Sequence, residues 1–310
     1  MIHIKELRSG LPLFKALGSD IRIEILQLLS EHHTLNLNDL AQKLNLSNGA
    51  VTMHIKKLEE SGLIDIQSAV GKHGIQKICR LNEDKLIVEL RSREAVRQYE
   101  VEIPIGHYSS YHALPTCGLA TRERFIGGLD DPRYFADPGR IDAEIIWLSE
   151  GYLEYRIPNY LNAGQRFKEI QFSMELSSEA PGYCEQWPSD IYFYLNDFEL
   201  GFWTSPGDFG ETRGTFNPDW WPSQINQYGM LKWIRVNEQG SFIDGHQVSG
   251  VGLKDIALDY KSPLRFKIGV GEKSVNKGGF TVYGKHFGNY NQDLLVRVLY
   301  DESRNGEKPE

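Results

Sequence analysis

Near residue 99 the spacing of apolar residues along this 310-residue chain switches from a helical interval to strict alternation. That switch constrains the fold more than any other feature, because helices repeat every ~3.6 residues and strands every 2. Before it, Ile21, Ile25, Leu28 and Leu29 mark one face of a helix. After it, Tyr99, Val101, Ile103 and Ile105 alternate with polar neighbours. One core cannot satisfy both patterns over this length, so two domains are expected. The chain reads as an α+β multidomain protein: residues 1–98 largely helical, 99–302 an all-β sandwich of jelly-roll-like type, and 303–310 (SRNGEKPE) a disordered tail.

Residues 11–31 carry two helical stretches parted by Gly18-Ser19, with Ser19 as a cap. A further helix is expected from Leu37-Asn38, capped by Asn38, with Leu40, Ala41 and Leu44 turned inward. The short turn Asn45-Leu46-Ser47 follows, and Ser47 caps a helix from Asn48 to about Ser61, stopped at Gly62. Helix, tight turn and helix in this order make a helix-turn-helix. Val51, Ile55 and Leu58 form the buried stripe of the second helix. Its opposite face shows Asn48, Gly49, Thr52, Met53 and Lys56, small or polar groups suited to base edges in a major groove. The strand-like runs LIDIQSA and IQKICRL then flank Val70-Gly71-Lys72-His73-Gly74, a hairpin with a basic tip. As a wing, it would bring Lys72, His73 and Lys77 to backbone phosphates, adding affinity but little sequence information.

These residues resemble a known family. Ala16-Leu17, Arg22, Ile25-Leu26 and Leu28-Leu29 look like the opening of ArsR-type winged-helix repressors. LSNGAVTMHIKKLEESGLI (46–64) is similar to their recognition helix, including the V-[ST]-x-H-[LI] core and the closing S-G-L-I. The resemblance covers about the first 90 residues. It implies a homodimeric transcription regulator on an inverted-repeat operator in double-stranded DNA, with Ser47, Asn48, Gly49, Thr52, Met53 and Lys56 towards the groove. His54 matches a position that packs rather than reads. Metal-sensing members carry ligands on the first helix of the motif or the last helix of the domain. Here those stretches, LNDLAQKL and NEDKLIVELRSREA, contain neither Cys nor His, so no metal site is expected and the signal must enter elsewhere. The second stretch, capped at Asn82, reads as a helix over 83–98 with Leu86, Ile87 and Leu90 on one face, for a dimer partner or for the following domain.

Charge separates the two parts. Residues 1–92 hold 12 Lys+Arg against 11 Asp+Glu, whereas the rest hold 22 against 31, a net of −9. Only the front part approaches a polyanion without strong repulsion. Three widely spaced cysteines (Cys79, Cys117 and Cys184) suit a reducing cytoplasm rather than a disulfide framework. No signal peptide and no run approaching the ~18 apolar residues of a membrane span is visible.

Beyond residue 99, DAEIIWL and YLEYRI read as two strands joined by a hairpin at Ser149-Glu150-Gly151. FELGFWT (198–204) and MLKWIRV (230–236) are joined by about 25 residues without clear secondary structure. Connections beyond ~12–15 residues in compact domains are usually functional or disordered, and Phe209, Phe216, Trp220 and Trp221 speak against disorder. Trp203, Trp220 and Trp221 beside Asp208, Glu211, Arg213 and Asp219 make a surface suited to a sugar: indole faces for C–H stacking, planar groups for hydroxyls. One of the two adjacent tryptophans is expected to anchor the loop. The segment 106–140 (His107, Tyr108, Tyr111, His112 and Arg133) and GKHFGNYNQD (284–293) are candidate further walls. The leading expectation is a DNA-binding regulator whose sandwich senses a small molecule, a sugar or glycoside, with no catalytic residues and no cofactor. The alternatives are a sandwich used only for assembly and a carbohydrate-active enzyme carrying a DNA-binding head; nucleophile elbow, P-loop and HExxH are all absent from the sequence.

Overall fold

The computed structural model describes residues 2–4, 7–71, 74–82, 85–88 and 97–302, the side chains of 3, 69–71, 74 and 75 excepted. The expected tail 303–310, the wing-tip residues Lys72 and His73, and Leu90 lie outside them. The chain divides into two compact units, Met1–Glu94 and Ala95–Glu310.

The first unit runs β1 (Ile2–Ile4), α1 (Leu11–Leu17), α2 (Asp20–His32), β2 (Thr34–Asn36), α3 (Leu37–Leu44), α4 (Asn48–Glu60), β3 (Ile64–Gly71), β4 (Gly74–Leu81) and β5 (Leu86–Val88). Its core is the expected helical stripe: Ile25 and Leu29 of α2, Leu40 of α3, and Val51, Ile55 and Leu58 of α4 are all buried. Each such side chain contributes ~1.5–3 kcal/mol on leaving water. The Arg22 side chain is buried as well, because its guanidinium donates to the carbonyls of Ala16 and Lys15 and so closes the C-terminal end of α1. β3 and β4 pair antiparallel from Ile64↔Leu81 to Gly71↔Gly74, and β2 adds a third strand on the far side of β4.

Two expectations fail here. The cap of α3 is Asn36, whose Oδ1 accepts from the amides of Asn38 and Asp39 at 2.9 Å; Asn38 is already helical. The segment expected as a helix over 83–98 contains a strand: Leu86–Val88 pairs in parallel with Ile2–Ile4. Leu86 and Val88 pack on the core of their own unit. A chain-terminal strand satisfies the backbone of this short, β-branched run, and periodicity alone could not reveal that partner.

The second unit comprises β6 (Arg97–Ile103), β7 (Ser110–Ala120), β8 (Ile145–Ile157), β9 (Gln165–Ser177), β10 (Ser189–Leu195), β11 (Phe198–Ser205), β12 (Met230–Asn237), β13 (Gly240–Ile243), β14 (His246–Ser249), the short helix α5 (Leu253–Ile256), β15 (Leu264–Val270), β16 (Phe280–Tyr283) and β17 (Leu294–Glu302). All its strand pairs are antiparallel. One layer reads β7–β8–β15–β10–β11, the other β6–β17–β9–β12–β13–β14, and β16 pairs with β8 and β9 to join them at one end. The result is a sandwich that nearly closes into a barrel. Between the layers Phe172 of β9 stacks on Phe266 of β15, centroids 3.9 Å apart and planes within 10°.

The hairpin expected at Ser149-Glu150-Gly151 is absent. β8 runs through it as one 13-residue strand. Gly151 has φ +131°, and a Cβ there would stand 1.9 Å from the His112 carbonyl oxygen. The glycine serves a close approach of β7, not a turn. Residues 145–148 of β8 are buried on both faces, since a second cluster covers the outer side of the joined end.

Candidate nucleic-acid interface and the loop on the sandwich

The reading helix is built by its own N-terminus. Asn45 takes the left-handed conformation (φ 53°) that ends α3, and Ser47 Oγ accepts from the amide of Ala50 at 3.3 Å to begin α4. Asn48 Nδ2 donates to Asn38 Oδ1 at 2.9 Å, a side-chain clasp between the two helices of the motif. Thr52 Oγ1 donates to the Asn48 carbonyl at 2.7 Å, and the residue is exposed. Met53 is 67% exposed, a large apolar side chain with no core to enter. Lys56 lies 3.8 Å from Glu60 across one helical turn, with both side chains mostly in water. Such a pair contributes only ~0.3–0.5 kcal/mol, so the ammonium is easily redirected. A Cβ on Gly49 would meet nothing within 4 Å, so the backbone there is open to approach from outside.

His54 lies at the edge of the buried stripe. Its pKa is lowered by burial first, then by Arg22 and Lys57, which keeps the ring neutral near pH 7 and suits packing rather than phosphate contact. Lys77 is exposed on β4, cross-strand from Ser68.

On the sandwich, the connection between β11 and β12 is ordered by its own contacts. Trp221 is 1% exposed and donates from Nε1 to the Asn226 carbonyl at 2.8 Å. Its ring meets Trp147 of β8 at 5.9 Å and Phe287 at 4.9 Å. Trp220 is partly exposed and donates from Nε1 to the Arg122 carbonyl, with Phe125 edge-on at 5.1 Å. The guanidinium of Arg213 donates to the carbonyls of Trp221, Asn217 and Pro218 and thus holds the loop together. Asp208 is fully buried: Oδ2 accepts from the Ala180 amide at 3.0 Å, and burial raises its pKa to about 8. Glu211 and Asp219 are exposed.

The seven residues expected to form one ligand surface are therefore not together. Trp203 packs on the inter-layer core with Lys232 4.2 Å over its ring, whereas Trp220 and Trp221 belong to the cluster outside the joined end. Asp208 and Trp221 present no surface to a ligand, because the loop spends both on its own anchorage. The further walls are placed in part. Phe287, Gly288 and Asn289 of 284–293 do grip the loop, with Asn289 Oδ1 accepting from Thr215 and Asn217 Oδ1 accepting from Gly288. From 106–140 the residues that reach it are Arg122 and Phe125, not the histidines and tyrosines singled out. Tyr108 is buried with its hydroxyl donating to Phe135, and Arg133 pairs with Asp131 in solvent.

Beside the loop lies a cavity of about 130 Å³ whose wall includes Phe125, Trp147, Glu179, Ile225 and Asn226. Glu179 is buried against Thr281 and Asn226, and burial first, then the nearby Asp208, raises its pKa well above the usual carboxylate value. Its residue type and its position, just past the end of β9, gave no local signal. Among the described residues no three or more His, Cys, Asp or Glu side chains gather as a metal site, and no helix is long and apolar enough to cross a membrane.

Residues 19–65 match the family described as winged helix-turn-helix DNA-binding. The chain is 33% identical over 89 residues to the uncharacterized protein MJ0432 of Methanocaldococcus jannaschii, a likeness covering 29% of this chain and 89% of that protein. Among solved structures, it is similar to the Agl-KA catalytic domain at 9% identity and TM-score 0.23, over 50% of this chain and 21% of that one. Dimeric latent PorU from Porphyromonas gingivalis gives 9% and 0.26, over 78% and 18%. The family 7 alginate lyase A1-II′ gives 11% and 0.20, over 64% and 96%. The chain spans about a fifth of the length of the first two, and TM-scores this low assign neither fold nor activity.

Proposed function

We propose that this chain, whose residues 19–65 match the winged helix-turn-helix DNA-binding family, is a transcription regulator that reads double-stranded DNA with α4. The observation that carries the reading is the outer face of that helix. Thr52, Met53 and Lys56 are exposed in a row past a capped N-terminus, while Val51, Ile55 and Leu58 hold the opposite face in the core. Thr52 and Met53 suit apolar contact with thymine methyl groups. Ser47, Asn48 and Gly49 put the first turn of the helix against a phosphate, and Lys56 and Lys77 add charge. Lys72 and His73 would extend the same contact from the wing.

The finer reading is an ArsR-type homodimeric repressor on an inverted repeat, its half-sites ~34–36 Å apart. It would work in the cytoplasm, where its DNA is. The sandwich serves as the sensing part, binding a small molecule without turning it over and shifting the balance between two dimer geometries. The excess of acidic residues beyond position 92, 31 against 22 basic, supports confining DNA contact to the first unit.

The test is selection of a binding site from random double-stranded DNA by the full chain, followed by anisotropy titration. Thr52→Ala combined with Lys56→Ala should weaken the selected site at least tenfold at moderate salt. Unchanged affinity would sink the assignment of α4.

A further inference from the structure

The outer face of the β7–β8–β15–β10–β11 layer carries a feature that the DNA-binding reading does not use. Cross-strand register places His112, Tyr152, Gly269, Tyr192 and Phe202 in one row across five neighbouring strands. Four steps of ~4.8 Å give the row a length of roughly 19 Å. Side chains alternate along each strand, and Leu153, Ile268 and Phe193 face the core, so this row faces out. Tyr192 lies 5.0 Å from Phe202, planes 31° apart, and stacks on Tyr194 at 6.4 Å, planes 24° apart, so the row is a set of touching aromatic rings. Gly269 interrupts it and forms the floor of a trough of about 400 Å³ between Tyr152 and Tyr192.

The polar groups of the trough are set at its centre and rim. Lys267, one pair of residues along β15, holds its ammonium 4.6 Å from the Tyr194 ring centre and 5.6 Å from that of Tyr152. Among the described residues that ammonium has no carboxylate within ion-pair distance and donates no hydrogen bond. At the rim the turn after β15 brings Lys273, which is paired with Glu199, and the exposed Glu272.

We propose that this trough binds an oligosaccharide, the pyranose rings lying on Tyr152, Tyr192, Tyr194 and Phe202 with Lys267 donating to a ring substituent. Exposed aromatic rings take the C–H faces of sugar rings, and hydroxyls need the donors and acceptors found beside them. A row running across strands suits a chain of rings better than a single compact ligand. A nucleic acid strand also stacks on aromatics, but the net −9 of residues 93–310 opposes a polyanion. An added peptide strand needs a free sheet edge, and this trough lies on a face. The proposal rests on the sandwich being the sensing part, and it places the input on a different face from the 205–224 loop.

The experiment is calorimetric titration of the full chain, without DNA, with the neutral sugars cellohexaose, xylohexaose and mannohexaose. Binding of at least one, weakened about tenfold or more by Tyr192→Ala and by Tyr194→Ala but not by Trp220→Ala, is the expected result. Lys267→Ala should weaken binding as well, by less than either tyrosine variant. Tryptophan emission checks that each variant is folded. No heat with any of the three, or binding indifferent to both tyrosines, overturns the proposal. Sugar binding without DNA binding would instead overturn the regulator reading, and DNA binding without sugar binding would leave that reading standing alone.

Discussion

Trp220 and Trp221 meet edge to face, centroids 5.5 Å apart and planes at 80°, yet only Trp221 is fully buried. Both lie in a turn closed by the Trp221 amide donating to the Pro218 carbonyl at 2.9 Å, which carries one indole into the Trp147–Phe287 cluster and leaves its neighbour at the surface. The 205–224 loop is thereby held as a lid on the outer side of the joined sheet. Trp221→Ala should destabilise the sandwich by ~3–5 kcal/mol, as large aromatic-to-alanine changes in a core do. Trp220→Ala should cost less than ~2 kcal/mol. Urea unfolding followed by tryptophan emission reads this unit alone, because all six tryptophans lie between Trp147 and Trp233. Equal effects would show that the loop is anchored elsewhere.

Stability of the sandwich should fall as pH rises from about 4 to about 8. Asp208 goes from an ordinary carboxylate value of 3.8 in the unfolded chain to about 8 when folded, because burial disfavours the charge. The folded state therefore binds the proton more tightly. Its contribution is fully present below pH 4 and is lost as pH climbs through 8. Glu179, also raised by burial, acts with the same sign. Midpoints of urea unfolding at pH 5 and pH 8 test this, and Asp208→Asn should flatten the difference. A midpoint that rises with pH in the parent chain would contradict it.

Gly151→Ala should destabilise the sandwich by more than ~2 kcal/mol, since the new methyl meets the His112 carbonyl oxygen and φ is +131°. A hairpin glycine facing solvent would tolerate the change far better. The comparison of thermal midpoints decides between the two.

Lys77 is exposed on β4. Lys77→Ala should weaken DNA binding evenly across sequences and reduce the slope of log affinity against log salt by ~0.9, one phosphate contact. A change of preferred sequence with an unchanged slope would move Lys77 from backbone to base contact.

The helix-turn-helix was legible because its signals are local. The stripe Val51, Ile55 and Leu58, the cap Ser47 and the stop at Gly62 all lie within one helix and its ends, and the helix found is the helix expected. The cap of α3 was misplaced by two residues, since Asn36 and Asn38 are both good caps and only the backbone chooses. Leu86–Val88 was read as helix because its partner, Ile2–Ile4, lies more than 80 residues away. The ligand surface expected around 205–224 came apart for a similar reason. Composition put aromatics and carboxylates together, but nothing in the stretch says which of them the sheet beneath will consume.

The sequence by itself determined the two parts, the alternation of the strands and the reading face of α4, because each follows from periods and caps spanning a few residues. Tertiary structure alone decided that β8 runs straight through Gly151 and that Trp221 rather than Trp220 is the anchor. It also decided that Tyr152, Gly269, Tyr192 and Phe202 form one row. Those outcomes depend on strand register between segments as much as 117 residues apart, from Tyr152 to Gly269, which is set by the packing of a shared core and leaves no mark on either segment alone.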